Sequence, residues 1–201
     1  MNQKATHMNT TSIKKDKVSR TQLTKQRLRS KILLRLKTQK EEDRERKSRI
    51  IKEKLFKDTV FKKAKRVMFY ISFGGEVNTI EMIKEAKKIG KMIAVPVCGS
   101  GRSIKPCLLA NRAGLRKGPY SVKEPAVKKS VDIKTLDLVV VPAVAFDKKG
   151  NRLGRGRGCY DYFLKKLPKD TPSVGLAFDF QVLPSIPTTK RDIKVNKILF
   201  A

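Results

Sequence analysis

Hydrophobic positions in the first third of the chain recur at helical spacing. Leu28, Ile32 and Leu36 stand at i, i+4 and i+8 with Leu33 beside them, which predicts an amphipathic helix from about Thr24 to Lys37. Thr38-Gln-Lys-Glu41 fits a capping box, so a second helix is expected to start there and run to about Lys57. Its apolar face would be Ile50, Ile51, Leu55 and Phe56. The pattern then changes to short apolar runs. Val67–Ile71, Met92–Val97, Leu138–Val141 and Ser173–Phe178 read as buried strands, with Ile193–Phe200 as the last and Ile104–Leu109 pairing after the Gly99-Ser-Gly101 turn. Asn78 or Thr79 caps a helix carrying Ile80, Ile83 and Ala86, which Gly90 stops; another helix runs from about Tyr160 to Lys166. Residues 110–131, rich in Gly, Pro and charge, read as loop.

Strands that are apolar throughout, alternating with helices, imply a mainly parallel sheet covered on both faces. The fold expected is therefore α/β: a single Rossmann-like, three-layer domain over residues 21–201 with two N-terminal helices packed on it. No internal repeat or linker divides it. Residues 1–20 are polar, lack the apolar core of a secretory signal, and read as a disordered leader. In such sheets ligands bind beyond the carboxyl ends of strands.

Composition narrows the partners. The net charge of +30 points to anions: a nucleotide, a polyanionic cofactor or nucleic acid. The first 66 residues hold 23 Lys/Arg against 7 Asp/Glu, which fits solvated helix faces better than a dedicated RNA tail. Cys98, Cys107 and Cys159 form no CxxC pair and read as free thiols in a reducing, cytoplasmic setting. No apolar run is long enough to span a membrane. A single His, His7, excludes Ser-His-Asp catalysis and a multi-His metal cluster.

The candidate chemistry gathers at Asn151-Arg-Leu-Gly-Arg-Gly-Arg-Gly-Cys-Tyr-Asp161. It is neither a Walker A sequence nor GxGxxG. Bare N–H groups leading into a helix start, with Arg152, Arg155 and Arg157 alongside, suit a phosphate better than a plain hairpin tip does. Asp161 is either a first-turn acid favoured by the helix dipole or a Mg²⁺ ligand beside phosphates, with Asp192 as a second carboxylate. Glu76, in a Gly-Gly-Glu loop, is either a solvated acid or an acceptor for a ring rich in N–H groups. Lys25 and Arg29 share one helix face, where they serve solubility or reach a phosphate.

Taken with the strand before it, this segment resembles the signature of 5-formyltetrahydrofolate cyclo-ligases (methenyltetrahydrofolate synthetases): Asp137-Leu-Val-Val-Val-Pro-Ala-Val-Ala-Phe-Asp147, then Gly150 to Asp161. Lys25-Gln-Arg-Leu-Arg29, Gly75-Glu-Val-Asn-Thr79, Lys123-Glu-Pro125 and Gly175-Leu-Ala-Phe-Asp179 are similar to other family segments in the same order, so the likeness covers about residues 24 to 200. It implies conversion of 5-formyltetrahydrofolate to 5,10-methenyltetrahydrofolate, with ATP as co-substrate and Mg²⁺ as cofactor, releasing ADP and phosphate. The formyl oxygen attacks the γ-phosphate; N10 attacks the resulting iminium phosphate, and phosphate leaves. Such chemistry asks mainly for positioning and charge neutralisation.

By position, the resemblance implies that Lys25, Gln26, Arg27, Leu28 and Arg29, with Arg152, Leu153, Gly154, Arg155, Gly156, Arg157, Gly158, Cys159 and Tyr160, hold ATP. Asp161 and Asp192 hold Mg²⁺, Ile71 and Glu76 line the folate pocket, and Arg155 sits by the transferred phosphate. The folate, polyglutamylated or not, would meet a basic rim. The chain departs from the pattern at Cys159 (usually Tyr), Asn78 (commonly an acid), Arg191 (frequently His) and Asn196 (commonly Asp). A monomer is expected. The competing readings are a basic protein binding nucleic acid non-specifically on this fold, and a family member that binds folate or nucleotide without turnover. The low aromatic content, 6%, and the lack of an RNA-reading motif weigh against the first.

Overall fold

The computed structural model describes residues 20–110, 115–117, 123–126 and 128–201. The leader expected at the N-terminus lies outside these except for Arg20, which opens the first helix.

Two helices come first, α1 (Arg20–Thr38) and α2 (Glu41–Lys57). The capping box is not formed. Thr38 ends α1, its hydroxyl donating to Leu34 O at 3.0 Å, and Lys40 precedes α2 without a side-chain cap. Glu41, Glu42 and Asp43 in the first turn supply negative charge to the N-terminus of α2 instead. A five-residue helix that periodicity misses, α3 (Thr59–Lys63), follows at once. Asp58 starts it by accepting from the amides of Val60 and Phe61.

The main sheet contains β1 (Arg66–Met68), β2 (Met92–Cys98), β3 (Ile104–Leu108), β6 (Leu138–Val141), β9 (Ser173–Ala177) and β11 (Lys197–Phe200), in the order β11-β9-β6-β1-β2-β3. Every pairing is parallel except β2 with β3. Between β1 and β2 runs α4 (Thr79–Lys88), capped by Asn78, whose side chain accepts from Ile80 N at 3.0 Å. Two smaller sheets accompany it among the described residues. In one, β7 (Ala145–Asp147) pairs antiparallel with β8 (Arg152–Leu153) and parallel with β10 (Val182–Leu183). In the other, β4 (Leu115–Lys117) and β5 (Lys123–Pro125) pair antiparallel. This corrects the reading of 110–131 as loop throughout. The pairing is short and charged, with Arg116 opposite Glu124, so no hydrophobic alternation marks it.

The strands split their side chains between two cores. Val67, Phe69, Ile93, Val95, Leu138, Val140, Val174 and Leu176 face one way, against Ile32 and Leu36 of α1, Ile51 and Leu55 of α2, and Met82 and Ile83 of α4. Met68, Ala94, Val139, Val141 and Ala177 face the other, against Phe163 and Leu164 of α5 (Cys159–Leu164) and Val195. Burial on both faces is why these strands read as continuous apolar runs. Val67–Ile71 was expected as one strand, but β1 stops at Met68. Phe69 N still donates to Ala94 O at 2.9 Å, while Tyr70 and Ile71 stay buried as the chain leaves the ladder.

The chain runs from β1 to β2 on one side and places β6 on the other, so the order reverses at β1/β6. Beyond the carboxyl ends of those two strands lie Tyr70, Ile71, Pro142 and Ala143, and all four line one large cavity.

Candidate active site

The cavity measures about 1010 Å³. Its glycine-rich wall, Gly154–Gly158, follows the hairpin of β7 and β8. Asp147, buried, organises the turn of that hairpin: Oδ1 accepts from the amides of Lys149 and Asn151, and Oδ2 from Asn151 Nδ2 and Ile186 N. Leaving β8, the loop Gly154–Gly158 crosses the cavity mouth into α5. Gly156 (φ 110°) and Gly158 (φ 70°) hold backbone conformations that side chains rarely adopt. The N-terminal helix docks on this loop through Arg29 Nε, which donates to Gly154 O at 2.8 Å.

Three carboxylates line the cavity, and each bonds a cation of the expected ATP set. Lys25 Nζ donates to Asp192 Oδ2 at 2.6 Å. A guanidinium nitrogen of Arg152 donates to Asp161 Oδ1 at 2.7 Å. Arg155 reaches Glu76 Oε1 at 2.7 Å from a terminal nitrogen and 3.3 Å from Nε, with its guanidinium 4.2 Å from the centre of the Phe73 ring.

Burial pushes the Glu76 carboxyl above its ordinary range, although Arg155 and the Phe73 amide pull it down. At Asp192 burial also pushes upward, but bonds from Lys25 and from the amide and hydroxyl of Thr189 outweigh it and the group sits low. Burial raises the Tyr70 and Tyr160 phenols, so both stay protonated at neutral pH. Among the described residues, Tyr160 Oη and Arg152 Nε are buried with no hydrogen-bond partner. Buried polar atoms of this kind call for a further donor or acceptor.

Of the site residues expected from sequence, the cavity brings together Lys25, Arg29, Ile71, Glu76, Arg152, Leu153, Gly154, Arg155, Gly156, Arg157, Gly158, Cys159, Tyr160, Asp161 and Asp192. Gln26 and Arg27 are exposed, and Leu28 packs on the helical core; none of the three lines the cavity. The helical period explains this: Thr21, Gln22, Lys25 and Arg29 share the face turned to the cavity, while Gln26 and Arg27 point away from it. Sequence reasoning missed Phe73, Arg102, Lys165, Thr189 and Lys190 as lining residues. The signal for Phe73 was its place before Gly74-Gly75. Arg102 follows the Gly99-Ser-Gly101 turn, whose sequence signals a turn and nothing more.

The departures from the family pattern also have places. Cys159 and Arg191 line the cavity. Asn196 Oδ1 accepts from the amide and hydroxyl of Ser173 at 2.8 and 2.7 Å, bonds a carboxylate would also accept.

The donor set for a divalent cation is hard oxygen. Ile193 N donates to Asp161 Oδ1 at 3.0 Å, which carries the neighbouring Asp192 to Asp161. Hydrogen bonds engage Oδ1 of Asp161 and Oδ2 of Asp192, so among the described residues the second oxygen of each is left for a cation. Two carboxylate oxygens beside the glycine-rich loop are a donor set that would suit Mg²⁺.

Comparisons with known proteins identify the family. A 5-formyltetrahydrofolate cyclo-ligase of Mus musculus is 30% identical over 188 residues, covering 88% of this chain and 93% of its own. One from Saccharomyces cerevisiae is 35% identical over 162 residues, 68% of this chain and 75% of its own. The solved structure of Aquifex aeolicus 5,10-methenyltetrahydrofolate synthetase superposes with a TM-score of 0.78 at 34% identity, covering 88% of this chain and 89% of that one. The model of the 5-formyltetrahydrofolate cyclo-ligase family matches residues 21–201, and the chain belongs to that family.

Proposed function

We propose that this protein is an ATP-dependent ligase that cyclises 5-formyltetrahydrofolate to 5,10-methenyltetrahydrofolate, releasing ADP and phosphate. The observation that carries this reading is one cavity with two unlike walls. On one side stand the glycine loop, Lys25, Arg29 and Arg152, a phosphate cradle. On the other stands Glu76, a buried carboxylate able to accept N–H bonds from a pterin ring.

The residues divide the work accordingly. Lys25, Arg29, Arg152 and the amides of Gly154–Gly158 would bind the phosphates of ATP and set the γ-phosphoryl group in line with the formyl oxygen. Arg155 would neutralise charge developing on that group. Glu76 and Ile71 would hold the folate, with the orphaned Tyr160 hydroxyl as a further donor beside it. Mg²⁺, held by Asp161 and Asp192, would supply charge neutralisation at the phosphates. Arg102, Lys165, Lys190 and Arg191 line the cavity and give a folate glutamate tail, single or extended, a basic rim. The free cysteines suit a reducing, cytoplasmic setting, and among the described residues no helix is long and apolar enough to cross a membrane.

The test is direct. Purified protein with 5-formyltetrahydrofolate, ATP and Mg²⁺ is expected to generate the near-ultraviolet absorbance of the methenyl product. Binding of both ligands without ATP-dependent product would reduce the protein to a non-catalytic relative; salt-sensitive RNA binding in place of product would favour the nucleic-acid reading.

A further inference from the structure

Arg155 belongs to two sites at once. Its backbone is part of the loop that would cradle phosphates, and its neighbours there, Arg152 and Arg157, line the same wall. Its guanidinium turns away from that wall, lies over the Phe73 ring and takes Glu76 Oε1 with two nitrogens. Glu76 is the carboxylate assigned to the pterin, and its other oxygen, Oε2, accepts from Phe73 N at 3.3 Å. A pterin presenting two N–H groups to this carboxylate needs Oε1, which Arg155 holds. A γ-phosphoryl group on the loop needs the guanidinium, which Glu76 holds.

We propose that the Arg155–Glu76 pair couples the two substrates: binding either one breaks it, so each substrate tightens the binding of the other. This rests on the cyclo-ligase reading above. The physical argument is that one cost is shared. Separating a guanidinium from a buried carboxylate is unfavourable, because Glu76 is only 6% exposed and water replaces its partner poorly. Whichever ligand arrives first meets that cost. ATP draws Arg155 onto its phosphates and leaves a buried carboxylate in need of donors, which the pterin N–H groups supply. Folate displaces Arg155 from Oε1 and leaves a free guanidinium, which the phosphates take. The second ligand meets no such cost, and by linkage the factor is the same in both directions.

The other two ion pairs of the cavity do not have this property. Lys25–Asp192 and Arg152–Asp161 join residues assigned to ATP and its cation, so breaking them serves one ligand. Of the three pairs, Arg155–Glu76 alone joins the nucleotide wall to the folate wall. Glycines stand on either side of Arg155, at 154 and 156, and Arg29 is the cation holding Gly154 in place. The guanidinium can therefore be re-aimed while the loop stays anchored to α1.

The experiment is a coupling measurement without turnover. The dissociation constant of 5-formyltetrahydrofolate is measured with and without saturating β,γ-imido-ATP and Mg²⁺, and that of the nucleotide analogue with and without folate. In the wild type each ligand should tighten the other about tenfold, equally in both directions. In Arg155→Met both ligands should still bind, with a coupling factor near one. Arg155→Lys, which keeps the charge but loses the two-nitrogen grip, should fall between them, and it decides the matter if the Met variant does not fold. A wild-type factor of one, or an undiminished factor in either variant, overturns the proposal while leaving the cyclo-ligase reading intact. Failure of the wild type to bind 5-formyltetrahydrofolate at all overturns that reading, and the proposal with it.

Discussion

The loop that carries Glu76 is held by backbone contact, and Gly75→Ala tests how strictly. Gly75 has φ +83°, and a Cβ there would stand 2.0 Å from Leu36 O in the last turns of α1, about 1 Å inside the closest approach real Cβ atoms make. Gly90 supplies the control: φ is +82°, with nothing within 4 Å of its Cβ position. Both substitutions carry the left-handed backbone strain of an alanine, about 1 kcal/mol. Only Gly75→Ala adds overpacking against a fixed carbonyl, about 1–3 kcal/mol. The loop can relieve the overlap by retreating from α1. That retreat stretches the bond from Gln39 Nε2 to Gly75 O (2.7 Å) and shifts the neighbouring Glu76. Urea unfolding should show Gly90→Ala about 1 kcal/mol below wild type and Gly75→Ala about 2–4 kcal/mol below it. A displacement near 1 Å at a substrate-orienting carboxylate should lower kcat/KM for 5-formyltetrahydrofolate about 100-fold. Affinity for the ATP analogue should not fall, since the glycine loop is anchored separately by Arg29 and a displaced Glu76 holds Arg155 less firmly. Equal stabilities for the two variants, with wild-type folate kinetics in Gly75→Ala, would refute the claim that α1 sets the position of Glu76.

Three further outcomes are expected. Gly175→Ala in β9 would place a Cβ 2.5 Å from the fully buried Phe146 ring, so it should lose about 1–3 kcal/mol by urea unfolding, and pairing it with Phe146→Leu should restore part of the loss. At Asp58 burial pushes the carboxyl up, but Lys197 and the amides of Val60 and Phe61 outweigh it and hold the group below its ordinary 3.8. Its folded pKa is depressed, so its contribution is present above that value and is lost as pH falls through the folded pKa. Asp58→Asn keeps the cap acceptor and removes the charge; with Lys197 54% exposed it should lose no more than about 1 kcal/mol at neutral pH, and its stability should fall less steeply below pH 3.8 in acid unfolding. Asp161→Ala should abolish Mg²⁺-dependent ATP use while circular dichroism shows the fold retained, and wild-type turnover would show that the metal role lies elsewhere.

The parallel sheet was legible because its strands are buried on both faces, so apolar runs such as Leu138–Val141 stand out from a charged background. What escaped has physical reasons. The Thr38–Glu41 capping box was a plausible local pattern, but α1 continued to Thr38, and three acids already served the start of α2. The strands β4, β7, β8 and β10 have three residues or fewer, too short for any period to register, and their pairings are long-range or masked by charge. The site was legible in type but not in grouping. Gly154–Gly158, Asp161 and Glu76 announced themselves by composition. Phe73 and Arg102 did not, because what places them is the crossing of loops beyond β1 and β2, a property of the sheet order.

The same distinction bears on the charge of +30. Arg27, Lys31, Lys37, Arg46 and Arg49 are exposed on α1 and α2, where Glu41–Arg44, Asp43–Arg46, Lys47–Asp179 and Lys52–Glu85 pairs intersperse the signs. A face of mixed charges of that kind is solvated, and its ion pairs add little to stability. The cavity is different in kind. Lys25, Arg152 and Arg155 would repel one another in a confined space unless each had an anion, and Asp192, Asp161 and Glu76 supply one apiece. Asp192 and Asp161 hold Lys25 and Arg152 where phosphate oxygens would find them, and all three carboxylates limit the cost of assembling positive charge before a nucleotide arrives. Removing Asp161 or Asp192 should therefore impair nucleotide binding through misplaced cations as well as through lost metal contacts. Removing an exposed lysine from α1 or α2 should leave that binding unchanged.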